Sequence, residues 1–391
     1  MEIESWYRHN FEFRLRGRYI TLQHIYPLLD TYKMNYEISV LGRSEMNRDI
    51  PMLKIGNGSE IVLAWSQMHG NESTTTKALF DFLKFVTQKQ LSFQPQIERF
   101  LSHYTFYIIP MLNPDGAQNY TRENANNVDL NRDAQKLSQI ESQCLRNVFN
   151  EIKPSLCLNM HDQRSIYGLK TGKPATISFL SPAADAERTI TESRKIAMQQ
   201  IVKMTEFLQK YIPGQVGRYD DSFNAACVGD TFQKAGVPTI LFEAGHCGQD
   251  YQREKTREYI FYSLLSLFNI VEEKSGQIQY KEYFEIPENL KNHNDFILRN
   301  VKVQNEKAVS IAIQFTETLK NNNIDLVPII DEIGELKDKV GHKEVNVNNG
   351  EILTIPQKNL TVGQVISKIS AKNDDSAIYF STIDFKLTEN I

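Results

Sequence analysis

The sequence is poor in cysteine, and its cysteines form no recognisable pattern. Four cysteines are scattered over 391 residues, and no two of them make a C-x-x-C pair. So small a number excludes a disulfide-stabilised scaffold and is typical of a protein kept in a reducing compartment. We therefore expect free, mostly buried thiols at the four positions, which are Cys144, Cys157, Cys227 and Cys247.

The sequence also lacks an excess of positive charge and any long apolar run. Lys and Arg number 44 against 48 Asp and Glu, which gives a formal net charge of -4. Nothing in this balance attracts nucleic acid or an anionic membrane, so small or peptide-like partners are favoured. The acidic N-terminal residues are not followed by an apolar segment, so we expect a soluble, cytoplasmic protein without a signal peptide or a membrane span. Composition leaves the oligomeric state open.

Short apolar runs alternate with longer helical patterns through the first two thirds of the chain. This alternation predicts an α/β domain with a mixed, largely parallel central sheet and helices on both faces. The predicted strands cover residues 61–67, 104–112, 155–161, 175–180 and 238–245. The predicted helices cover residues 74–87, 134–152, 186–211 and 251–273.

The pattern changes near residue 277, where segments such as AVSIAIQFTE begin to alternate apolar and polar residues. We therefore predict an α/β domain over residues 1–277 and a smaller, β-rich domain with a helix or two over residues 278–391. The second domain carries no chemical motif. Its histidines, His293 and His342, are isolated in the sequence, and we expect a surface or packing role for both.

Polar residues stand at the carboxyl ends of the predicted parallel strands, where open sheets bind ligands. MHGNE (68–72) follows the first strand and contains His69 and Glu72, and His161 ends the third strand. Two imidazoles and one carboxylate are the protein ligands of a catalytic zinc site, which keeps a fourth position for water. Gly70 permits a tight turn between the two ligands of MHGNE. We therefore predict one Zn²⁺ ion held by His69, Glu72 and His161.

Ser73 and Thr74 are candidate caps for the helix that follows MHGNE.

Glu243, at the end of the fifth strand, is flanked by apolar residues that raise its proton affinity, which suits a general base and acid. The alternative for Glu243 is a carboxylate that caps the next turn.

The loop TRENANNVDLNRDA (121–134) is unusually rich in Arg and Asn. Arg122, Asn131 and Arg132 offer charge-assisted hydrogen bonds to an anion such as a terminal carboxylate. Asp129 is placed to accept the second ring proton of a ligating histidine. The alternative is a solvated loop whose charges are incidental.

The chain resembles the zinc metallocarboxypeptidases in five features, which are MHGNE, NPDG (113–116), RENANNVDLNR (122–132), the strand end at His161 and FEAG. The motif sequences are most similar to those of the carboxypeptidase N and E branch. The resemblance covers most of the first domain. It implies hydrolysis of the C-terminal peptide bond by an enzyme whose zinc ion is bound by His69, Glu72 and His161. It also implies that Glu243 is the general base and acid, and that Arg122 stabilises the oxyanion. Asn131 and Arg132 would bind the terminal carboxylate of the substrate.

Two features depart from the family. A mobile tyrosine usually covers the bound carboxylate, and here Tyr219 is the nearest candidate, with Phe223 as a competitor. The pocket for the terminal side chain is expected near residues 228–230, where Gly229 and Asp230 do not decide between a basic and a small terminal residue. The length and β-rich pattern of residues 278–391 are compatible with the small β sandwich of the N and E branch.

Two other functions compete with this interpretation. Related zinc deacylases share an H-G-N-E and a D-L-N-R segment and cleave small N-acyl amino acids, and small or cell-wall peptides are a further substrate class. A catalytically silent binding protein with the same fold is the other alternative. All four metal and base positions are filled here, which favours an enzyme.

Overall fold

The computed structural model describes residues 2–88, 92–271, 278–302, 308–347, 352–355, 360–366, 368–371 and 377–379. The helices are α1 (Glu2–Asn10), α2 (Leu22–Tyr32), α3 (Thr74–Thr87), α4 (Gln94–His103), α5 (Pro114–Asn119), α6 (Ile140–Ile152), α7 (Glu192–Leu208), α8 (Val228–Lys234) and α9 (Glu254–Leu267). Short 3₁₀ helices span Leu130–Arg132 and Tyr280–Glu285. The strands are β1 (Glu37–Arg43), β2 (Asp49–Gly56), β3 (Glu60–Trp65), β4 (Tyr104–Ile109), β5 (Leu156–Asp162), β6 (Ile177–Leu180), β7 (Val216–Arg218), β8 (Thr239–Ala244), β9 (His293–Val301), β10 (Val309–Lys320), β11 (Asn323–Gly334), β12 (Val340–Asn346), β13 (Ile352–Ile355), β14 (Lys368–Ala371) and β15 (Ala377–Tyr379).

Eight strands form one mixed sheet in the order β1-β2-β4-β3-β5-β8-β6-β7. The four central strands, β4, β3, β5 and β8, are parallel to one another. The pairs β1/β2, β2/β4 and β6/β8 are antiparallel. All five predicted strands are present, with ends that differ by up to three residues. The prediction of a mixed, largely parallel sheet is confirmed.

Alternate residues of β3 enter two different hydrophobic clusters. Val62 and Ala64 belong to the larger cluster, which includes buried residues of α3, α7 and α9. Leu63 and Trp65 belong to a second cluster, which includes buried residues of α6 and α8. Because successive side chains of a strand point to opposite faces, helices cover both faces of the sheet, as predicted.

Helix α6 begins later than its pattern suggested. The prediction started at residue 134, whereas the helix starts at Ile140. The Asp133 carboxylate accepts hydrogen bonds from the backbone N–H groups of Ser138 and Gln139, and these bonds hold the intervening residues in a turn. A side chain that bonds to nearby backbone in this way competes with helix formation.

Two further helices are also shorter than predicted. Helix α7 starts at Glu192 instead of residue 186, because Thr191 Oγ1 accepts a hydrogen bond from Arg194 N and caps the helix. Helix α9 spans Glu254–Leu267, whereas the prediction ran from residue 251 to 273. Residues 272 and 273 of that prediction lie outside the described residues.

Contacts divide the chain into two compact units. The first comprises Met1–Gln163, Ala175–Gly245 and Gln252–Asn289. The second comprises Arg164–Pro174, His246–Tyr251 and Leu290–Ile391. The first unit contains the eight-stranded sheet, and the second contains a four-stranded sheet in the order β11-β10-β9-β12 and the three-stranded sheet β13-β14-β15. From residue 278 onward, the described part of the chain has one short 3₁₀ helix and no α-helix.

Three histidines of the second unit stack on one another. The ring centroid of His342 lies 4.3 Å from that of His246 and 4.9 Å from that of His293. His342 Nε2 lies 2.8 Å from the Ser165 carbonyl oxygen, and the buried His293 ring packs against Gly168, where a Cβ would collide with it. The structure gives His293 and His342 the packing role that was expected of them, and His246, which the sequence does not place near either, completes the stack.

The four cysteines are free, as predicted. Cys157 is buried in β5, and the other three are partly exposed. None of the helices in the described ranges combines the length and the apolar character that crossing a membrane requires.

Candidate metal centre and active site

Three of the predicted site residues meet at the ends of β3 and β5. His69 Nδ1 lies 2.9 Å from Glu72 Oε1, His161 Nδ1 lies 2.8 Å from Glu72 Oε2, and the two Nδ1 atoms are 3.0 Å apart. All three residues are buried. Among the described residues, these are the one group of three or more metal-binding side chains whose ligand atoms lie within 4.8 Å of one another. We call His69, Glu72 and His161 the metal cluster.

The turn that joins His69 to Glu72 depends on a glycine. The Glu72 N–H donates to the His69 carbonyl oxygen at 3.1 Å, so the chain folds back directly after β3. A Cβ on Gly70 would collide with the backbone of Gly116 and Ala117 in α5. Any side chain at this position would push the turn away from α5 and displace both candidate ligands.

Helix α3, which follows Glu72, is capped by a distant carboxylate. The predicted cap Ser73 makes no capping hydrogen bond, because its hydroxyl donates to the Arg18 carbonyl oxygen at 2.6 Å. Instead, Asp162 Oδ2 accepts hydrogen bonds from Thr74 N and Thr74 Oγ1 at 3.1 and 2.6 Å. Ser73 therefore occupies the N-cap position as predicted, but its side chain does not cap the helix, and the first turn of α3 is tied to the last residue of β5.

The donor set of the metal cluster fits a divalent cation. Two imidazole nitrogens and a carboxylate converge, and lone pairs this close repel unless a proton or a cation lies between them. Asp129 Oδ1 lies 3.0 Å from His69 Nε2 and accepts its proton, which leaves the lone pair of His69 Nδ1 facing the cluster. The cluster therefore offers two neutral nitrogens and one anionic carboxylate, the ligand set of an open zinc site.

The ionisation of the cluster follows from burial and from its neighbours. Burial lowers the pKa of His161. For His69, burial also lowers the pKa but is outweighed by Glu72 and Asp129, so the pKa is raised. Burial opposes ionisation of Glu72, yet His69 and His161 hold the pKa of this carboxyl far below its usual range. Glu72 is therefore a carboxylate, as a metal ligand must be.

Arg122 reaches the metal cluster from the polar loop 121–134. Its Nε and Nη2 donate to Asp129 Oδ2 at 3.1 and 3.0 Å, and its Nη1 lies 3.4 Å from Glu72 Oε1. The Arg122 side chain is 42% exposed, whereas those of the cluster are buried, so this guanidinium is open to a ligand. The pKa of Asp129 lies far below its usual value, because His69 and Arg122 outweigh the effect of burial.

Glu243 lies beside His161 in the sheet. The two residues are paired in the parallel β5–β8 ladder, and residues paired in this way point to the same face. Burial raises the pKa of Glu243 well above that of an ordinary glutamate, and the charges of Glu72 and Asp162 raise it further. A carboxyl group with such high proton affinity can accept a proton and retain it for a leaving group.

Asn131 and Arg132 lie in the 3₁₀ helix directly after Asp129. The Asn131 N–H donates to Asp129 Oδ1 at 2.9 Å, and Asn131 Oδ1 accepts a hydrogen bond from Val228 N at 3.2 Å. Arg132 is exposed, and its Nη1 donates to the Asn131 carbonyl oxygen. The first turn of α8, which begins at Val228, is thereby fixed beside the loop that carries Arg122. Within that turn, Asp230 is buried, and burial raises its pKa to about 6.

The candidate capping residues lie after β7. Tyr219 is half-buried, and its N–H donates to the Phe179 carbonyl oxygen at 3.1 Å. Phe223, the competing residue, has the Lys234 ammonium 5.9 Å from its ring centroid. The assignment of a substrate-capping role to Tyr219 stays a prediction.

Two buried charged residues near the metal cluster were not predicted. Asp162 donates its backbone N–H to Glu72 Oε2 at 3.1 Å. Arg253 donates from Nη1 to the Ala244 carbonyl oxygen at 2.8 Å and from Nη2 to the Gln163 carbonyl oxygen at 3.0 Å, so it links the ends of β5 and β8. Arg253 has a left-handed backbone with φ 61°, which is uncommon for a residue other than glycine. Asp162 could have been found from its position beside a ligand, whereas Arg253 has no local signal.

The fold is similar to that of solved metallocarboxypeptidases. The metallo-carboxypeptidase of Burkholderia cenocepacia shares 15% identity, with 64% of this chain and 70% of that chain covered and a TM-score of 0.50. The metallo-carboxypeptidase of Pseudomonas aeruginosa, solved in complex with (2-guanidinoethylmercapto)succinic acid, shares 15% identity over 64% and 70% of the two chains with a TM-score of 0.51. No curated protein sequence matches the chain.

A match to a family sequence model identifies the family more clearly than these low identities do. The sequence model of the zinc carboxypeptidases matches residues 21–249, which is more than half of the chain and includes the metal cluster, Arg122 and Glu243. This match shows a zinc-dependent hydrolase of the carboxypeptidase type, and the metal cluster can hold one ion. The closer likeness to the N and E branch stays a prediction. The chain belongs to the zinc carboxypeptidase family.

Proposed function

We propose that this protein removes the C-terminal residue from peptides that end in a free carboxylate, with Glu243 as general base and acid. The observation that supports the proposal most directly is the convergence of His69, Glu72 and His161, with Glu243 paired to His161 in the adjacent strand. A carboxylate of high proton affinity beside a metal cluster is the combination that hydrolysis by an activated water requires.

His69 Nδ1, His161 Nδ1 and the Glu72 carboxylate are the atoms that would hold the zinc ion. When bound, zinc lowers the pKa of a water molecule and polarises the scissile carbonyl group. Asp129 keeps the His69 ring in the tautomer that leaves Nδ1 available, since it accepts the proton of Nε2. Asp129 also accepts two hydrogen bonds from Arg122, so ligand orientation and guanidinium position are set together.

Glu243 moves the proton. In its ionised form the carboxylate takes a proton from the attacking water as the oxygen–carbon bond forms. The carbonyl oxygen becomes an oxyanion, to which the partly exposed Arg122 donates hydrogen bonds. Glu243 then delivers the proton to the amide nitrogen as the carbon–nitrogen bond breaks, which releases a neutral amine and regenerates the carboxylate.

Asn131 and Arg132 hold the substrate's terminal carboxylate. Arg132 is exposed and supplies a planar guanidinium, which binds a carboxylate through two parallel hydrogen bonds. Asn131 is held on both sides, by Asp129 and by Val228 N, so its side-chain amide has a fixed direction. Fixing the terminal carboxylate places the last peptide bond at a constant distance from the metal cluster, which favours removal of a single residue.

A peptide-library digest analysed by mass spectrometry tests the proposal. We expect products shorter by one C-terminal residue, loss of activity after chelation, and loss of both zinc and activity in His69→Ala. Peptides with an amidated C-terminus serve as the control and should resist cleavage. Internal cuts, or cleavage of amidated peptides at the same rate, would contradict an exopeptidase. Faster turnover of N-acyl amino acids than of dipeptides in parallel assays would support a deacylase instead.

A further inference from the structure

Asp162 contacts both sides of the metal cluster. Its backbone N–H donates to Glu72 Oε2 at 3.1 Å, and its Oδ2 accepts hydrogen bonds from Thr74 N and Thr74 Oγ1. Asp162 directly follows His161 in β5, whereas Thr74 begins α3 two residues after Glu72. One residue therefore ties the strand that carries one candidate ligand to the helix start that follows another.

Helix capping alone does not account for this carboxylate. Ser73 precedes α3 and has a side chain of the type that caps helices, but its hydroxyl is used by the Arg18 carbonyl oxygen. A local cap would stabilise the helix without burying a charge. A cap supplied by β5 additionally fixes the position of α3 relative to that strand, which a local cap does not.

The Asp162 carboxylate is costly to bury. The residue is 7% exposed, and its Oδ1 is buried without a hydrogen-bond donor among the described residues. Arg18 and Arg253 are near enough to offset its charge, whereas Glu72 and Glu243 repel it. A buried polar atom without a partner destabilises the folded state, so a carboxylate in this place requires a compensating role.

We propose that Asp162 is a positioning residue for the metal, which holds Glu72 at the separation from His161 that a single ion requires. The inference rests on the proposed function only in that His69, Glu72 and His161 are the ligands. Without the Asp162 side chain, Thr74 loses both of its hydrogen bonds to β5, while the bond from Thr75 Oγ1 to the Met160 carbonyl oxygen remains. The loosened first turn of α3 gives Glu72 more conformational freedom to lose when the ion binds. This larger loss of conformational entropy weakens zinc binding. Residues that support metal ligands in this way typically change the metal affinity by roughly 10- to 100-fold.

Zinc affinity, measured on the full chain by competition with a chromophoric chelator, tests the inference without any peptide substrate. We expect the dissociation constant of Asp162→Ala to rise by roughly 10- to 100-fold. Thr74→Val removes the 2.6 Å hydroxyl bond and keeps the backbone bond, so it should weaken zinc binding by a smaller factor. Because Thr74→Val is nearly isosteric, it gives an answer even where Asp162→Ala does not fold.

Thr191→Val is the matched control. Thr191 also stands at a helix start, where its hydroxyl accepts a hydrogen bond from Arg194 N, but its helix α7 carries no proposed ligand. This variant should lose thermal stability in the metal-free state and bind zinc within twofold of the wild type. Equal weakening of zinc binding by Thr74→Val and Thr191→Val would overturn the proposal, because general loss of stability would then explain both. Wild-type affinity in a folded Asp162→Ala or in Thr74→Val would overturn it as well.

The Asp162→Asn variant distinguishes a positioning effect of Asp162 on zinc affinity from an electrostatic effect of its charge. An asparagine oxygen can accept the hydrogen bonds of Thr74, so positioning predicts zinc affinity close to that of the wild type. An Asp162→Asn affinity as low as that of Asp162→Ala would overturn positioning in favour of a purely electrostatic effect. Absence of peptide hydrolysis in the wild type would count against the proposed function and leave these zinc affinities interpretable.

Discussion

Glu243 and His161 are paired in register across two adjacent parallel strands, β5 and β8. The pairing places a candidate base and a candidate ligand on one face of a rigid sheet, although each comes from a different part of the chain. The separation between Glu243 and His161 is therefore set by the ladder. Such a placement allows the chemistry of the two residues to be tested independently.

Glu243→Gln should lower kcat by roughly 10²- to 10⁴-fold, because the variant loses the group that transfers the proton. Zinc content should not change, since Glu243 is not one of the three candidate ligands. Steady-state kinetics and metal analysis of the purified variant check both outcomes. Glu141→Gln is a suitable control, because Glu141 is a buried carboxyl group whose pKa is also raised but which is not one of the proposed catalytic or metal-binding residues. A kcat within tenfold of the wild type in Glu243→Gln would assign the proton transfer to another group.

Glu243→Gln should also stabilise the metal-free protein in a pH-dependent way. Burial and the charges of Glu72 and Asp162 raise the folded-state pKa of Glu243, so the folded state retains a proton that the unfolded chain has lost. Stability therefore falls as the pH rises above the ordinary glutamate value of about 4.3 toward the raised value. The gain in melting temperature from Glu243→Gln should grow over this window. Thermal unfolding in chelator at several pH values measures it, and a gain that shrinks with rising pH contradicts the raised pKa.

Arg132→Ala should act mainly on KM. The proposed hydrogen bonds between Arg132 and the terminal carboxylate are present in the bound substrate as well as in the transition state, and loss of such uniform binding raises KM while kcat changes less. Loss of a charge-assisted pair costs roughly 1.5–3 kcal/mol, which corresponds to about a 10- to 100-fold rise in KM. Kinetics on free and amidated forms of one peptide provide the check. If kcat falls and KM does not change, Arg132 does not anchor the substrate.

Mild acid should loosen the second unit at the histidine stack. Burial lowers the folded-state pKa of His293, so the unfolded chain binds a proton first as the pH falls below about 6.5. The stability that the neutral ring provides is present above this value and is lost as the pH drops toward the folded-state pKa, and protonated rings at these distances would also repel one another. Hydrogen exchange of β9 amides, corrected for intrinsic rates, should accelerate between about pH 7.5 and 5.5 more than that of β3. Equal acceleration in both strands would contradict this expectation.

Residues that stand at strand ends were predictable from the sequence. The apolar runs identify the strands, and parallel strands bring their carboxyl ends to one edge, so His69, Glu72 and His161 were expected to meet. The polar loop 121–134 added Arg122 and Asp129, which the structure places within hydrogen-bond distance of each other. These inferences succeed because a continuous apolar run is a local property of the sequence, and helical segments between such runs predict parallel strands.

Features that depend on contacts between distant segments were not predictable. Ser73 has the right chemistry for a helix cap, yet the Arg18 carbonyl oxygen takes its hydroxyl and Asp162 supplies the cap. Helices α1, α2, α4, α5 and α8 and strands β1, β2 and β7 were not assigned, and none of them is longer than eleven residues. His246 stacks on His342 only after the chain has folded, so no spacing in the sequence reveals it.

Two segments, Arg164–Pro174 and His246–Tyr251, belong to the same compact unit as the C-terminal strands. This grouping limits where the polypeptide can be truncated. These segments begin at the residues after Gln163 and Gly245, only a few positions beyond His161 and Glu243. They are held by Gly168, which pairs with Leu290, and by Tyr251, which packs on Phe315. Truncation before residue 290 would strip both segments of these neighbours. The C-terminal strands therefore cannot be removed without exposing two segments that lie within the first 251 residues, so residues 1–289 do not form an independent module.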